Sequence, residues 1–262
     1  MYSHIVWLSD LSEQANACLE PLRCLALIGP ARVTVLYATG KEDTESEPLR
    51  SRLNALVDSL QKDGELQAAA LLTQELPLSA ASAHGATADL VVIGRTGASG
   101  SERIIGSTAE RVLRNTPCSV LVVGGKDVSD IQQVLCPIEV TKPATVPIVH
   151  AARVAMAYDA TCTFLALMPF GTEEPAQEYL TKLQEVVHNA IEPSIRTVLK
   201  DRYEVGYANE PAEAICEVAK DMDLVVMGSQ NRSGLARIFL GSVSERVAYR
   251  SPVPVLVARP LT

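Results

Sequence analysis

The residues of this chain that could do chemistry are small ones. Gly94 and Gly97 are separated by two residues, and eight more separate Gly97 from Gly106, which is followed by Ser107 and Thr108. Gly228, Asn231, Gly241, Ser242 and Val243 repeat the arrangement near the end of the chain, with nine residues between Asn231 and Gly241. Glycine lets a backbone approach a ligand closely. A helix opening on Gly-Ser presents N–H groups at the positive end of its dipole, and such a start attracts anions, phosphate above all. The same letters have a second meaning. Ser107 to Glu110 (STAE) and Ser242 to Glu245 (SVSE) both fit the S-x-x-E capping box, in which serine caps the helix and glutamate reaches back. No ligand is needed then, and both readings stand at this level. Arg95, Arg103, Arg232 and Arg237 could add charge near phosphate, although an arginine in a loop is more commonly a solvated surface group.

Catalytic machinery is harder to find. His4, His84, His150 and His188 lie in different segments, and none sits in a nucleophile motif. The chain has no G-x-S-x-G elbow, no P-loop and no G-x-G-x-x-G after its first strand. With no lysine in the glycine loop, phosphoryl transfer has little to work with. A binding protein is expected, with at most slow ATP hydrolysis. The net charge of −8 offers no basic surface to neutralise a duplex, so nucleic acid is not expected as a partner. Six cysteines without a C-x-x-C pair read as buried thiols in a reducing compartment, and zinc spacing is absent. The start of the chain carries no basic leader, and the apolar stretch AARVAMAYDATCTFLALM is broken by Arg153 and Asp159. No membrane segment is expected, and a cytoplasmic location follows.

The elements that must position the glycines are also written twice. Asp89 pairs with Asp223, Gly94 with Gly228 and Pro77 with Pro211 at one offset; Gly106 pairs with Gly241 and Pro117 with Pro252 at an offset one residue larger. A period of half the chain means two tandem domains, 1–124 and 132–262, joined across GGKDVSDIQQ. In the first, HIVWLS, ARVTVLYA, LQAAALLT, DLVVIG and SVLVV read as strands alternating with helices; in the second, QVLCPI, TCTFLAL, YEVGYA, DLVVMG and PVLVA do so. Near-continuous apolar strands between helices predict an α/β fold, each domain a five-stranded, mainly parallel sheet with helices on both faces. Pro21 falls inside the first helical pattern and predicts a kink or an interruption.

At these motifs the chain resembles the universal stress protein family, whose nucleotide-binding members carry G-x2-G-x9-G-(S/T) between the fourth strand and the last helix. The resemblance extends along nearly the whole chain, twice. IVWLSDLSE and VLCPIEVTK resemble the family's first strand, which ends in aspartate. It implies tandem Rossmann-like domains binding ATP or AMP, with Mg2+ accompanying ATP, in a stress-response regulator. Carried over, the first nucleotide site would comprise Ser9 and Asp10 at the base end, Ala38 ending the second strand, and Gly94, Gly97, Gly106, Ser107 and Thr108 around ribose and phosphates. The second would comprise Glu139, Leu167, Gly228, Asn231, Gly241, Ser242 and Val243. The first copy is one residue short between Gly97 and Gly106; aligning RI-IGS with RIFLGS puts the missing residue just before Gly106. The second has Asn231 for the second glycine and Glu139 for the aspartate, which puts bulk at both ends of the ligand. The first copy is therefore the more competent site. Family members commonly dimerise through the fifth strand, so the halves are expected to pair as a pseudo-dimer through SVLVV and PVLVA, with a further homodimer open. The rival expectation is a nucleotide-free interaction protein acting through a client-binding surface.

Overall fold

The computed structural model describes residues 2–40, 47–62, 64–96, 105–125, 128–229 and 240–260. The first half runs β1 (His4–Leu8), α1 (Glu13–Asn16), α2 (Leu19–Ala26), β2 (Arg32–Ala38), α3 (Glu47–Gln61), β3 (Gln67–Thr73), α4 (Pro77–Gly85), β4 (Leu90–Gly94), α5 (Ser107–Asn115) and β5 (Ser119–Val123). The second runs β6 (Gln133–Pro137), α6 (Thr145–Ala157), β7 (Thr161–Met168), α7 (Ala176–Ala190), α8 (Pro193–Arg196), β8 (Lys200–Tyr207), α9 (Pro211–Val218), a 3-10 turn (Ala219–Asp221), β9 (Leu224–Gly228), α10 (Ser242–Arg250) and β10 (Val255–Ala258). The strands read from sequence are all present. The apolar stretch weighed as a membrane span divides between α6 and β7, and among the described residues no helix is long and apolar enough to cross a membrane.

All ten strands form one sheet in the order β3-β2-β1-β4-β5-β10-β9-β6-β7-β8. Neighbours are parallel within each half, and the halves meet at β5 and β10, antiparallel, with Leu121 opposite Leu256. The pseudo-dimer is thus continuous backbone hydrogen bonding across a seam. Strand alternation sends Ile5, Trp7, Val92, Leu121, Val134 and Leu256 into one core, where α2, α3, α6 and α7 pack. Val6, Val91, Val120, Leu135, Val225 and Val257 enter a second core under α4, α5, α9 and α10. Each core runs through both halves. The two are therefore the two faces of one sheet, buried on both sides as parallel sheets require.

The first helical pattern is interrupted, as Pro21 requires. α1 stops at Asn16 and α2 starts at Leu19, so Pro21 sits in the first turn of α2, where an intrahelical N–H partner is absent anyway. Asp89 and Asp223 have the same structural duty. Asp89 Oδ2 accepts from the Ser3 amide at 2.6 Å and the His4 amide at 3.0 Å; Asp223 Oδ2 accepts from the Gln132 and Gln133 amides, both at 2.9 Å. Each aspartate anchors the start of its half's first strand.

Candidate functional site

In an open α/β sheet, ligands sit beyond the carboxyl ends of the strands where strand order reverses. In the first half that point lies between β1 and β4, paired through Leu8 and Ile93. Beyond β1, the Ser9 amide donates to Leu36 O at 3.0 Å, and its buried Oγ accepts from the Leu11 amide at 3.1 Å. Asp10 then stands exposed, its Oδ1 accepting from the Ser12 amide at 3.0 Å and Oγ at 2.5 Å. Ser12 Oγ in turn accepts from the Ala15 amide at 3.1 Å, capping α1. The turn is locked, with Leu11 at φ +58. Ala38 ends β2 alongside, half-buried.

Beyond β4, half-buried Gly94 leads to Arg95, whose amide donates to Val123 O at 2.7 Å and whose carbonyl accepts from the Gly106 amide at 2.8 Å. The loop thus leaves and returns at one point. Gly97 and Arg103 lie between, outside the described residues. Gly106 holds the N-cap position of α5 in extended backbone, with no side-chain cap, and Ser107 and Thr108 open the helix exposed to solvent. The capping-box expectation is therefore corrected in both halves. Ser107 and Ser242 are the first helical residues rather than caps, because Gly106 and Gly241 occupy the N-cap. The two glutamates face the seam instead. Glu110 lies 3.4 Å from Arg114 Nε, and Arg114 also pairs with Glu245 across the halves. An α5 start without a side-chain cap suits an incoming anion.

The second half builds the same frame with different fittings. The Ile138 amide donates to Leu165 O at 2.8 Å, as Ser9 does to Leu36. Glu139 is exposed and engaged: Thr141 Oγ1 donates to it at 3.3 Å, and Lys142 Nζ lies at 4.0 Å. Leu167, half-buried in β7, packs close to Gly206. Gly228 ends β9 against Pro147, and its carbonyl accepts from Ser244 Oγ at 2.8 Å. Gly241 and Ser242 mirror Gly106 and Ser107, but Val243 takes the place of Thr108 and packs on the core, so no hydroxyl is offered there. Asn231, Arg232 and Arg237 lie outside the described residues.

Arg95 departs from the expectation of a solvated surface group. It is 7% exposed, and its Nη1 donates to Ser251 O of the other half at 2.5 Å. Sequence reading missed its counterpart. Arg259, 1% exposed, donates from Nη1 to Cys118 O at 2.7 Å and from Nη2 to Leu113 O. Burial lowers its pKa to about 10, which still leaves it charged at neutral pH. Each half thus sends one guanidinium over the other half's turn between last helix and last strand. Among the described residues no cluster of three or more His, Cys, Asp or Glu could hold a metal ion.

The profile of the universal stress protein family matches residues 77–124 and 130–259. Universal stress protein YxiE of Bacillus subtilis is 35% identical over 124 residues, covering 44% of this chain and 80% of that one. Universal stress protein Rv2005c of Mycobacterium tuberculosis is 25% identical over 244 residues, 85% of this chain and 79% of that one. A crystal structure of a universal stress protein from Archaeoglobus fulgidus superposes with a TM-score of 0.72 at 18% identity, over 98% of this chain and 96% of that one. That last likeness carries the tandem Rossmann-like fold.

Proposed function

The chain belongs to the universal stress protein family, and on that premise we propose that it is a stress-response regulator binding ATP or AMP in its first half. The observation that carries this reading is the convergence, beyond adjacent β1 and β4, of exposed Asp10, Gly94 and the α5 start at Gly106, Ser107 and Thr108. Exposed amides and hydroxyls at a helix N-terminus suit phosphates, and Asp10 and Ala38 stand where the adenosine end would lie. Ser9 shapes that end from within. The sequence-derived boundaries 1–124 and 132–262 define the binding unit and its partner unit in this reading.

The second half, with Glu139 paired to Lys142 and Val243 packed on the core, serves as partner and support. Gly228, Gly241, Ser242 and Leu167 are assigned there to fold rather than ligand. The protein acts as a binder, not a catalyst. Mg2+ would enter with ATP, held by phosphates and water, and no side chain here is assigned to it. Five of the six cysteines are buried and Cys216 is half-buried; a reducing, cytoplasmic setting belongs to the same proposal.

Titration with a fluorescent ATP analogue tests the reading, comparing the full chain with Gly97→Val, which replaces the second glycine of the motif by a branched residue. Saturable binding by the natural chain, weakened at least tenfold in the variant, is the expected result. Equal binding by both, or none by either, would transfer the function to the nucleotide-free, client-binding alternative. Mass spectrometry of the small molecule that co-purifies gives an independent answer.

A further inference from the structure

A cavity of about 660 Å3 opens between the halves, within the range of small-molecule sites, roughly 300–1,000 Å3. Arg95, Thr96 and Gly125 of the first half line one wall; Arg250, which ends α10, and Ser251 and Pro252, which follow it, line the other. The first wall is continuous with the candidate site, because Arg95 O accepts from the Gly106 amide at 2.8 Å. An occupant of the α5 start therefore has the cavity as its next neighbour. Two guanidiniums, one from each half, converge there. Both act on the nearby thiol of Cys216: burial pushes that thiol up, and Arg250 and Arg95 each pull it back. Arg95 is fixed through Ser251 O, whereas Arg250 is more than half exposed, 3.6 Å from Glu213, and able to turn.

We propose that the second half completes the nucleotide site of the first. The β- and γ-phosphates of ATP leave the α5 start and enter this cavity, where Arg250 meets them in place of Glu213. The proposal rests on the reading of the first half as an adenine-nucleotide site. A multiply charged phosphate chain offers a guanidinium more charge and more acceptor oxygens than one carboxylate. AMP, which has no β- or γ-phosphate, has nothing to place in the cavity. The second half thereby becomes a reader of phosphate number.

The test is calorimetric titration of the full chain, Arg250→Ala and Arg250→Lys with ATP and with AMP. Arg250→Ala is expected to weaken ATP about tenfold, the effect of one charge-assisted contact, and to leave AMP within about twofold. Arg250→Lys should recover part of the ATP loss. The side chain is at the rim, so thermal unfolding of the variants checks that the fold is unchanged. ATP affinity indifferent to Arg250, or ATP and AMP weakened alike, overturns the proposal while leaving a first-half nucleotide site standing. A natural chain that binds neither nucleotide overturns both.

Discussion

Tyr2 and His150 join the halves at the level of single side chains. Tyr2 Oη and His150 Nδ1 are hydrogen-bonded at 2.8 Å, with 1% and 4% of the residues exposed. Burial, helped by the positive charge of Arg153, lowers the His150 pKa from 6.5 to about 4. Between those values the unfolded chain binds a proton that the folded chain refuses. Stability from this site is therefore full above about pH 6.5 and falls by about 3 kcal/mol as pH drops towards 4. Carboxylates titrate in the same window, so the measurement is a difference. Urea unfolding of the natural chain and His150→Gln from pH 7 to 4 should show the natural chain losing stability faster. Parallel curves would remove the histidine from the account. Nothing in the sequence announced this pair, because Tyr2 and His150 stand 148 residues apart and neither belongs to a motif.

The elements around the seam show what an internal alignment hides. In the first half the guanidinium comes from Arg95 after β4, and position 124 after β5 is glycine; in the second, position 229 after β9 is Ser229, and Arg259 follows β10. The two arrangements are alternatives. A Cβ placed on Gly124 would meet Arg95 Nε at 2.7 Å and Arg95 Cβ at 2.9 Å, so this slot admits one arginine. Arg95→Ser is expected to cost about 2–4 kcal/mol, as a buried, hydrogen-bonded side chain is lost. Adding Gly124→Arg in that background should recover much of it, by converting the first half to the second half's arrangement. A double-mutant cycle by denaturant unfolding measures the coupling; a second substitution that only adds to the loss would refute the one-slot account. Strands, repeat and broken first helix were legible because apolar runs, fixed offsets and Pro21 each have one physical meaning. The capping box was not legible. S-x-x-E fixes a spacing but not which residue is the last in extended backbone, and here that residue is the preceding glycine. Arg95 was misread for a similar reason: its burial depends on a turn contributed by the other half.

For the whole molecule, both cores pass through the seam without interruption, so the halves should not melt separately. Calorimetry of the full chain should give one transition whose van't Hoff and calorimetric enthalpies agree. The 1–124 half made alone would leave β5 unpaired, with Val120 to Val123 at a bare edge. It should be recovered as a dimer or larger assembly in sedimentation experiments. Two transitions for the full chain, or a stable monomeric half, would contradict a shared core.

Because β5 and β10 run in opposite directions, every strand of one half points away from those of the other. The carboxyl-end crevices therefore open at opposite poles of the slab. A partner docked on the pole that holds Asp10 and Thr108 cannot also touch the pole that holds Glu139 and Val243. On the proposed reading, a change at the nucleotide pole would be read there, with the far pole free to serve as anchorage.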